Sequence, residues 1–335
     1  MKKNNESSYT IFNQMKDCLK KQGLPVFEDD FHCDYNPYRF LSKIQADHYT
    51  INILCWFDAL EKYANIRIIP GKCMTGLSMV DIMKLADDCN GYLDLYHLAP
   101  CPDCGSMELR SGLFVPGKNL PENKFGWLIN TMIKEGERIR ACFNEPISDI
   151  SCTESPSEPL DRSSHVNLDD HVISKVLDDI EGVLSKHKLP IQNDFNEEKS
   201  FCIDVKYERF NDLLVRIGIL IKDNPARVMM SMAPWETVPE DKMSVIMELI
   251  CRINQSAIVD HMYIHPDTHR TIINKGVLMT GGYLNVKEFE SALKTLLGNG
   301  SFYLSMVKEQ ISSSESPKKL LDRMYNKHFE HEHLK

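Results

Sequence analysis

The alternation of apolar and polar positions changes period several times along the chain, in the same order in each half. In the first half Ile11, Met15, Cys18 and Leu19 make a helical stripe over 11–22, which Gly23 and Pro25 terminate. Period-two patterning then predicts strands around 39–45, 49–57 and 66–69. A second helix is expected over 78–89, with Met79, Ile82, Met83, Leu85, Ala86 and Cys89 toward a core. A hairpin rises through 91–99, turns at Pro102-Asp103 and returns through 107–115. A last helix follows over 122–142, burying Phe125, Leu128, Ile129, Met132 and Ile133. The second half predicts the same elements at 173–186, 201–204, 212–221, 226–232, 243–254, 257–273 and 286–310. Gly298 and Gly300 interrupt the last of these, because glycine weakens a helix interior.

The recurrence extends to residue identities. At an offset of 164, Met79, Ile82, Met83, Leu85 and Asn90 fall on Met243, Ile246, Met247, Leu249 and Asn254. His97, Pro102, Asp103 and Gly112 fall on His261, Pro266, Asp267 and Gly276, and Gly117, Leu120, Phe125, Thr131 and Gly136 on Gly281, Leu284, Phe289, Thr295 and Gly300. Leu24-Pro25 meets Leu189-Pro190 at an offset of 165. These positions sit on helix faces, turns and strand ends, where one fold constrains two diverged copies. The chain therefore reads as an α+β protein made of two tandem copies of a helix–three strands–helix–hairpin–helix domain, each an antiparallel sheet packed by helices. The first copy is expected over 1–144 and the second over 171–311. The stretch 145–170, with its Ser155-Pro156-Ser157-Glu158-Pro159, has a linker composition, and 312–335 reads as a polar tail with a short helix.

That punctuation resembles the YbjN family of sensory transduction regulators and the related type III secretion chaperone-like fold. The residues that carry the resemblance are Leu24-Pro25 and Leu189-Pro190 after the first helix, and Ile69-Pro70 and Val238-Pro239 near the end of the third strand. Asn90 and Asn254 closing the second helix, and the hairpins that lead into glycine-bearing segments, complete it. The resemblance implies a non-enzymatic protein with a protein or peptide partner, chaperone-like or regulatory, that captures a segment in a groove or at a sheet edge. Chaperones of this fold look like homodimers, so it also implies a monomer acting as a pseudo-dimer, or a homodimer. The cysteine-bearing hairpin turn of the first half departs from the family pattern.

Composition narrows the function classes. A net charge of −9 argues against nucleic acid or an anionic membrane surface as partner, since both require a basic footprint. The N-terminal sequence has no apolar signal segment, and no apolar window approaches the roughly 20 residues of a membrane span, so a cytoplasmic protein is expected. Most of the eleven cysteines, including Cys55, Cys89, Cys142, Cys202 and Cys251, fall inside apolar patterns and read as core thiols.

Two groups stand out as candidate chemistry. Cys101-Pro102-Asp103-Cys104-Gly105 has the form of a zinc knuckle, and the matching turn of the second half is His265-Pro266-Asp267-Thr268-His269. Brought together, Cys101, Cys104, His265 and His269 would make a Cys2His2 zinc site, with His97 and His261 as substitutes. The same turn is equally a redox-responsive thiol pair or a plain hairpin turn, because Pro-Asp favours a turn without any metal. No other cofactor is implied, and no nucleophile elbow, phosphate loop or zinc-protease motif occurs. The acidic pairs Asp29-Asp30, Asp87-Asp88, Asp169-Asp170 and Asp178-Asp179 read as helix ends and solvated faces. The second group is the methionines Met229, Met230 and Met232, with Met243 and Met247 on the following helix and Met79 and Met83 repeating that helix pattern in the first half. They read as adaptable core filler or as an exposed Met-lined face or groove, Met230 included, able to accommodate varied partner segments.

Overall fold

The computed structural model describes residues 2–28, 39–46, 49–59, 62–70, 78–91, 93, 95–103, 106–144, 168–191, 200–207, 213–223, 226–256 and 260–332. Most of the 145–170 joint and Cys104 lie outside these residues. Helix α1 (Lys2–Lys21) leads into strands β1 (Val26–Glu28), β2 (Arg39–Ala46), β3 (Tyr49–Asp58) and β4 (Tyr63–Ile69). Helix α2 (Met79–Asn90), strands β5 (His97–Pro100) and β6 (Met107–Phe114) and helix α3 (Glu122–Asn144) complete the first half. The second half runs α4 (Asp170–Lys186), β7 (Ser200–Tyr207), β8 (Leu213–Lys222), β9 (Arg227–Pro234), α5 (Met243–Ser256), β10 (His261–Ile264), β11 (Thr271–Leu278), α6 (Val286–Thr295), α7 (Ser301–Ser312) and α8 (Pro317–Glu332). The class is α+β. Among the described residues the strands form two antiparallel sheets, ordered β1-β2-β3-β4-β6-β5 and β10-β11-β9-β8-β7.

By compactness the chain divides into two units, Met1–Met79 with Tyr96–Glu158, and Val80–Leu95 with Pro159–Lys335. Nearly all of α2 thus packs in the second unit, although the strands before and after it belong to the first. In the first unit α1 and α3 lie together on one face of the six-stranded sheet. Met15, Leu19, Phe125, Ile129 and Met132 from the helices meet Phe40, Ile53, Cys55, Ile66, Ile68 and Leu109 from the strands, all fully buried. Phe12 packs edge-on against Phe40 with ring centroids 5.6 Å apart.

In the second unit the five-stranded sheet buries one face against α4 to α8. Val215, Ile217, Ile219, Val228, Met230, Met232 and Ile273 supply the strand side of this core, and Ile180, Leu184, Ile246, Leu249, Phe289, Leu293 and Met306 the helix side. Asp169 caps α4 by accepting the Val172 N–H at 2.8 Å, and Asn285 caps α6 by accepting the Glu288 N–H at 3.2 Å. The two glycines expected to break the final helix do so gently. Leu296–Gly300 forms one π-helical turn between α6 and α7, and the chain direction continues. Helix α8 packs on α5 and α7 and buries Leu320 completely.

Helices α1 and α4 end in the same way. Gly23 (φ 76°) and Lys188 (φ 55°) occupy left-handed backbone conformations. The next residues, Leu24 and Leu189, each donate their N–H back to a helix carbonyl, Leu19 and Leu184, at 3.0 Å. Proline follows both leucines and prevents the helix from resuming.

Candidate partner-binding site

The five-stranded sheet ends on β7, which pairs with β8 on one side only among the described residues. Alternation along β8 sends Val215, Ile217 and Ile219 into the core and turns Leu214 and Arg216 to the opposite face. Asp204 on β7 stands directly across from Arg216. The pair is bidentate, with Arg216 Nε donating to Asp204 Oδ1 at 2.9 Å and Nη2 donating to Oδ2 at 3.0 Å. Beyond the end of β9, the Trp235 N–H donates to the Leu214 carbonyl at 3.4 Å and so extends the ladder by one residue. The Arg216 guanidinium lies 4.4 Å from the centre of the Trp235 ring, and that of Arg270 lies 5.5 Å from it.

Trp235 remains 41% exposed and Leu214 43% exposed, so two guanidinium groups position a large apolar ring in contact with solvent. Arg270 closes the β10–β11 turn, where the His265 N–H donates to its carbonyl at 2.8 Å. The Arg270 Nε is buried and has no hydrogen-bond partner among the described residues. Within that turn the His269 N–H donates to the His265 carbonyl at 2.8 Å, and Asp267 donates its N–H to His265 Nδ1 at 3.3 Å. His269 takes a left-handed conformation (φ 53°), and its carbonyl accepts the Val238 N–H at 2.8 Å, which fastens the segment after Trp235 to the turn.

The zinc candidates are therefore placed as follows. His265 and His269 share one turn of the second unit. Cys101 follows β5 in the first unit, where its N–H donates to the Ser106 carbonyl at 2.7 Å, and its thiol is free and half-buried. Cys104 lies outside the described residues. Among the described residues no group of three or more His, Cys, Asp or Glu side chains is gathered as a metal site.

Of the two readings of Met229, Met230 and Met232, core filler holds and the exposed face needs correction. Met230 and Met232 are fully buried, because they stand on the helix-covered side of β9 opposite Ile219 and Ile217. Met229 points the other way and is only 3% exposed. It borders a cavity of about 230 Å³ that Gly218, Ser231, Tyr263 and Asn274 also line. There Ser231 Oγ donates to Asn274 Oδ1 at 2.7 Å. Strand β9 presents no exposed methionine surface at these positions.

The opposite edge of the same sheet is closed by side chains. Asn254 of α5 donates Nδ2–H to the Met262 carbonyl and accepts the Met262 N–H at Oδ1, both at 2.9 Å, as a neighbouring strand would. Two residues on, the Ile264 N–H donates to both carboxylate oxygens of Asp87 on α2, at 3.0 and 3.1 Å. Asp87 was expected on a solvated face but is buried. Helical spacing could have shown this, since positions 83, 86, 87 and 90 lie on one stripe and Met83, Ala86 and Asn90 are buried with it. Burial pushes its carboxyl up to about 8, the Ile264 N–H opposing and Asp88 adding to the shift. In the first unit the buried Glu108 accepts from both Arg67 and Arg110, and burial holds the Arg110 guanidinium below its ordinary range.

No described helix is long and apolar enough to cross a membrane. Compared with known proteins, the chain matches no protein-family model and no curated protein.

Proposed function

We propose that this chain is a non-enzymatic, cytoplasmic protein-binding module, built from two tandem YbjN-like copies, that takes up an extended segment of a partner polypeptide along β7 and the Leu214–Trp235 face. The observation that carries the reading is Trp235, held half in solvent at the end of β9 by Arg216 and Arg270, two strands in from the β7 edge and linked to it through the Arg216–Asp204 pair. An added strand gains affinity from main-chain hydrogen bonds to such an edge and specificity from alternate side chains. Tryptophan and arginine are the side chains that most often dominate binding energy at interfaces. Arg216 already has its carboxylate in Asp204, so Arg270 is the donor left to recognise an acidic group on the partner. The second edge, β10, is filled by Asn254 and Asp87 and is not offered. The tandem reading draws support from the shared helix endings at Gly23-Leu24-Pro25 and Lys188-Leu189-Pro190.

The test is affinity capture from the source organism with wild-type, Trp235→Ala and Arg270→Ser chains, followed by mass spectrometry. A recurring polypeptide that each substitution weakens at least tenfold, with unchanged melting temperature, supports the proposal; tenfold corresponds to about 1.4 kcal/mol. Equal recovery by all three chains would remove this face from the function.

A further inference from the structure

Helix α2 holds the β10 edge at two points. Asp87 accepts the Ile264 N–H, and the Asn90 carbonyl lies 3.1 Å from His261 Nε2. Between these points the middle of the edge is taken by Asn254 from α5, a helix anchored in the core through Ile246, Leu249, Ile250 and Ile253. The chain neighbours of α2, β4 and β5, belong to the other unit, and its buried stripe and those two polar contacts are among the interactions that hold Val80–Leu95 here.

One of the contacts is made by a buried titratable group, Asp87. A neutral carboxyl can accept the Ile264 N–H at little cost, whereas a buried carboxylate needs a cation or several donors. Among the described residues no salt bridge reaches Asp87, and Lys84 on α2 acts on Asp88. Cys251 of α5 has its thiol pushed up by burial, with Asp87 and Glu248 adding to the shift and Arg252 opposing it. Arg252 is already paired with Glu248 at 2.9 Å. Asp88, on α2 itself, is acidic, and His261 of β10 is engaged with the Asn90 carbonyl.

We infer that α2 is a proton-dependent clip on the β10 edge: protonated Asp87 holds it closed, and loss of that proton accompanies its release. Released, the helix exposes the Ile264 N–H and its own apolar stripe. The device is independent of the Trp235 face, and its test involves no partner. The sign follows from linkage. Asp87 has an ordinary carboxyl value of 3.8 when α2 is free and about 8 when it is docked. The docked state therefore binds the proton more tightly, and docking weakens as pH rises between those values and levels off above the upper one.

The experiment is amide hydrogen exchange on the full chain between pH 5 and 9, corrected for intrinsic exchange rates, with Ile264 as reporter and Ile217 of the interior strand β8 as reference. Ile264 protection is expected to fall up to tenfold per pH unit from pH 5 to about 8 and then flatten, while Ile217 protection holds. In Asp87→Asn, which keeps an acceptor and cannot ionise, Ile264 protection should stay constant within about threefold. Constant wild-type protection, or an Asp87→Asn profile that falls like the wild type, overturns the inference. So does a parallel fall at Ile217, a reading that the wild-type chain supplies without any variant.

Discussion

Lys275 Nζ lies 2.7 Å from Asp260 Oδ1, and the two side chains are 1% and 4% exposed. Lys275 projects from β11 onto the helix-covered face of the sheet, opposite Met230, so an ammonium group sits at the margin of an apolar core. Removing one partner from such a pair strips the other buried charge of this counter-ion. Lys275→Met and Asp260→Asn should therefore each destabilise the second unit by about 3–5 kcal/mol. The double variant Lys275→Met/Asp260→Asn should be more stable than either, because it leaves no buried charge without its counter-ion. Urea unfolding of the four chains checks this. A double variant that loses the sum of the single losses would mean that the pair contributes no coupling.

Much of this arrangement was legible from patterning, and the exceptions have particular causes. Strands β3, β8 and β9 and helices α4 and α5 start and end within a few residues of where periodicity placed them, since each buries one clean face. Strand β1 was missed because three residues, Val26–Glu28, are too few to show alternation. The start of β4 was missed because Asn65 interrupts an apolar run, although it is fully buried. Alternation separated Met229 from Met230 without saying which of the two faces the helices would cover. For α2 the periodicity identified the buried stripe but not the surface that buries it: Val80–Leu95 packs in the second unit, although the strands before and after it belong to the first. Asp87 reads from sequence as solvated and Asn254 as a helix-closing residue, because polar residues on an apolar stripe acquire their role only once a strand edge is seen beside them. The exposure of Trp235 depends on Arg216 and Arg270, which are distant in sequence.

The paired endings of α1 and α4 predict opposite responses to similar substitutions. At φ 76° Gly23 has open space where a Cβ would go, so only backbone strain opposes a side chain there. Gly23→Ala should cost about 1 kcal/mol. Lys188 already bears that strain at φ 55°. Lys188→Gly should raise stability by up to about 1 kcal/mol, reduced by the greater freedom of glycine in the unfolded chain. Thermal melts compare the two directly. A Lys188→Gly chain that melts lower than the wild type would show that the lysine side chain makes a contact outweighing its strain.

The π-helical turn between α6 and α7 offers a sharper contrast, because its two glycines meet different surroundings. A Cβ on Gly300 would lie 2.9 Å from Met232 Sδ and 3.4 Å from Ile273 Cδ1, both on the buried face of the sheet. Neither side chain has a solvent-filled space to move into, since Met232 and Ile273 are fully buried. Gly300→Ala should therefore cost about 1–3 kcal/mol through overpacking. Gly298, two residues earlier, has nothing within 4 Å of the same position. Its backbone is helical, so alanine there should stabilise by up to about 1 kcal/mol through lower entropy in the unfolded chain. Denaturant midpoints of the two variants should lie on opposite sides of the wild-type value. If both shift the same way, helix propensity and not the Met232 contact governs this turn.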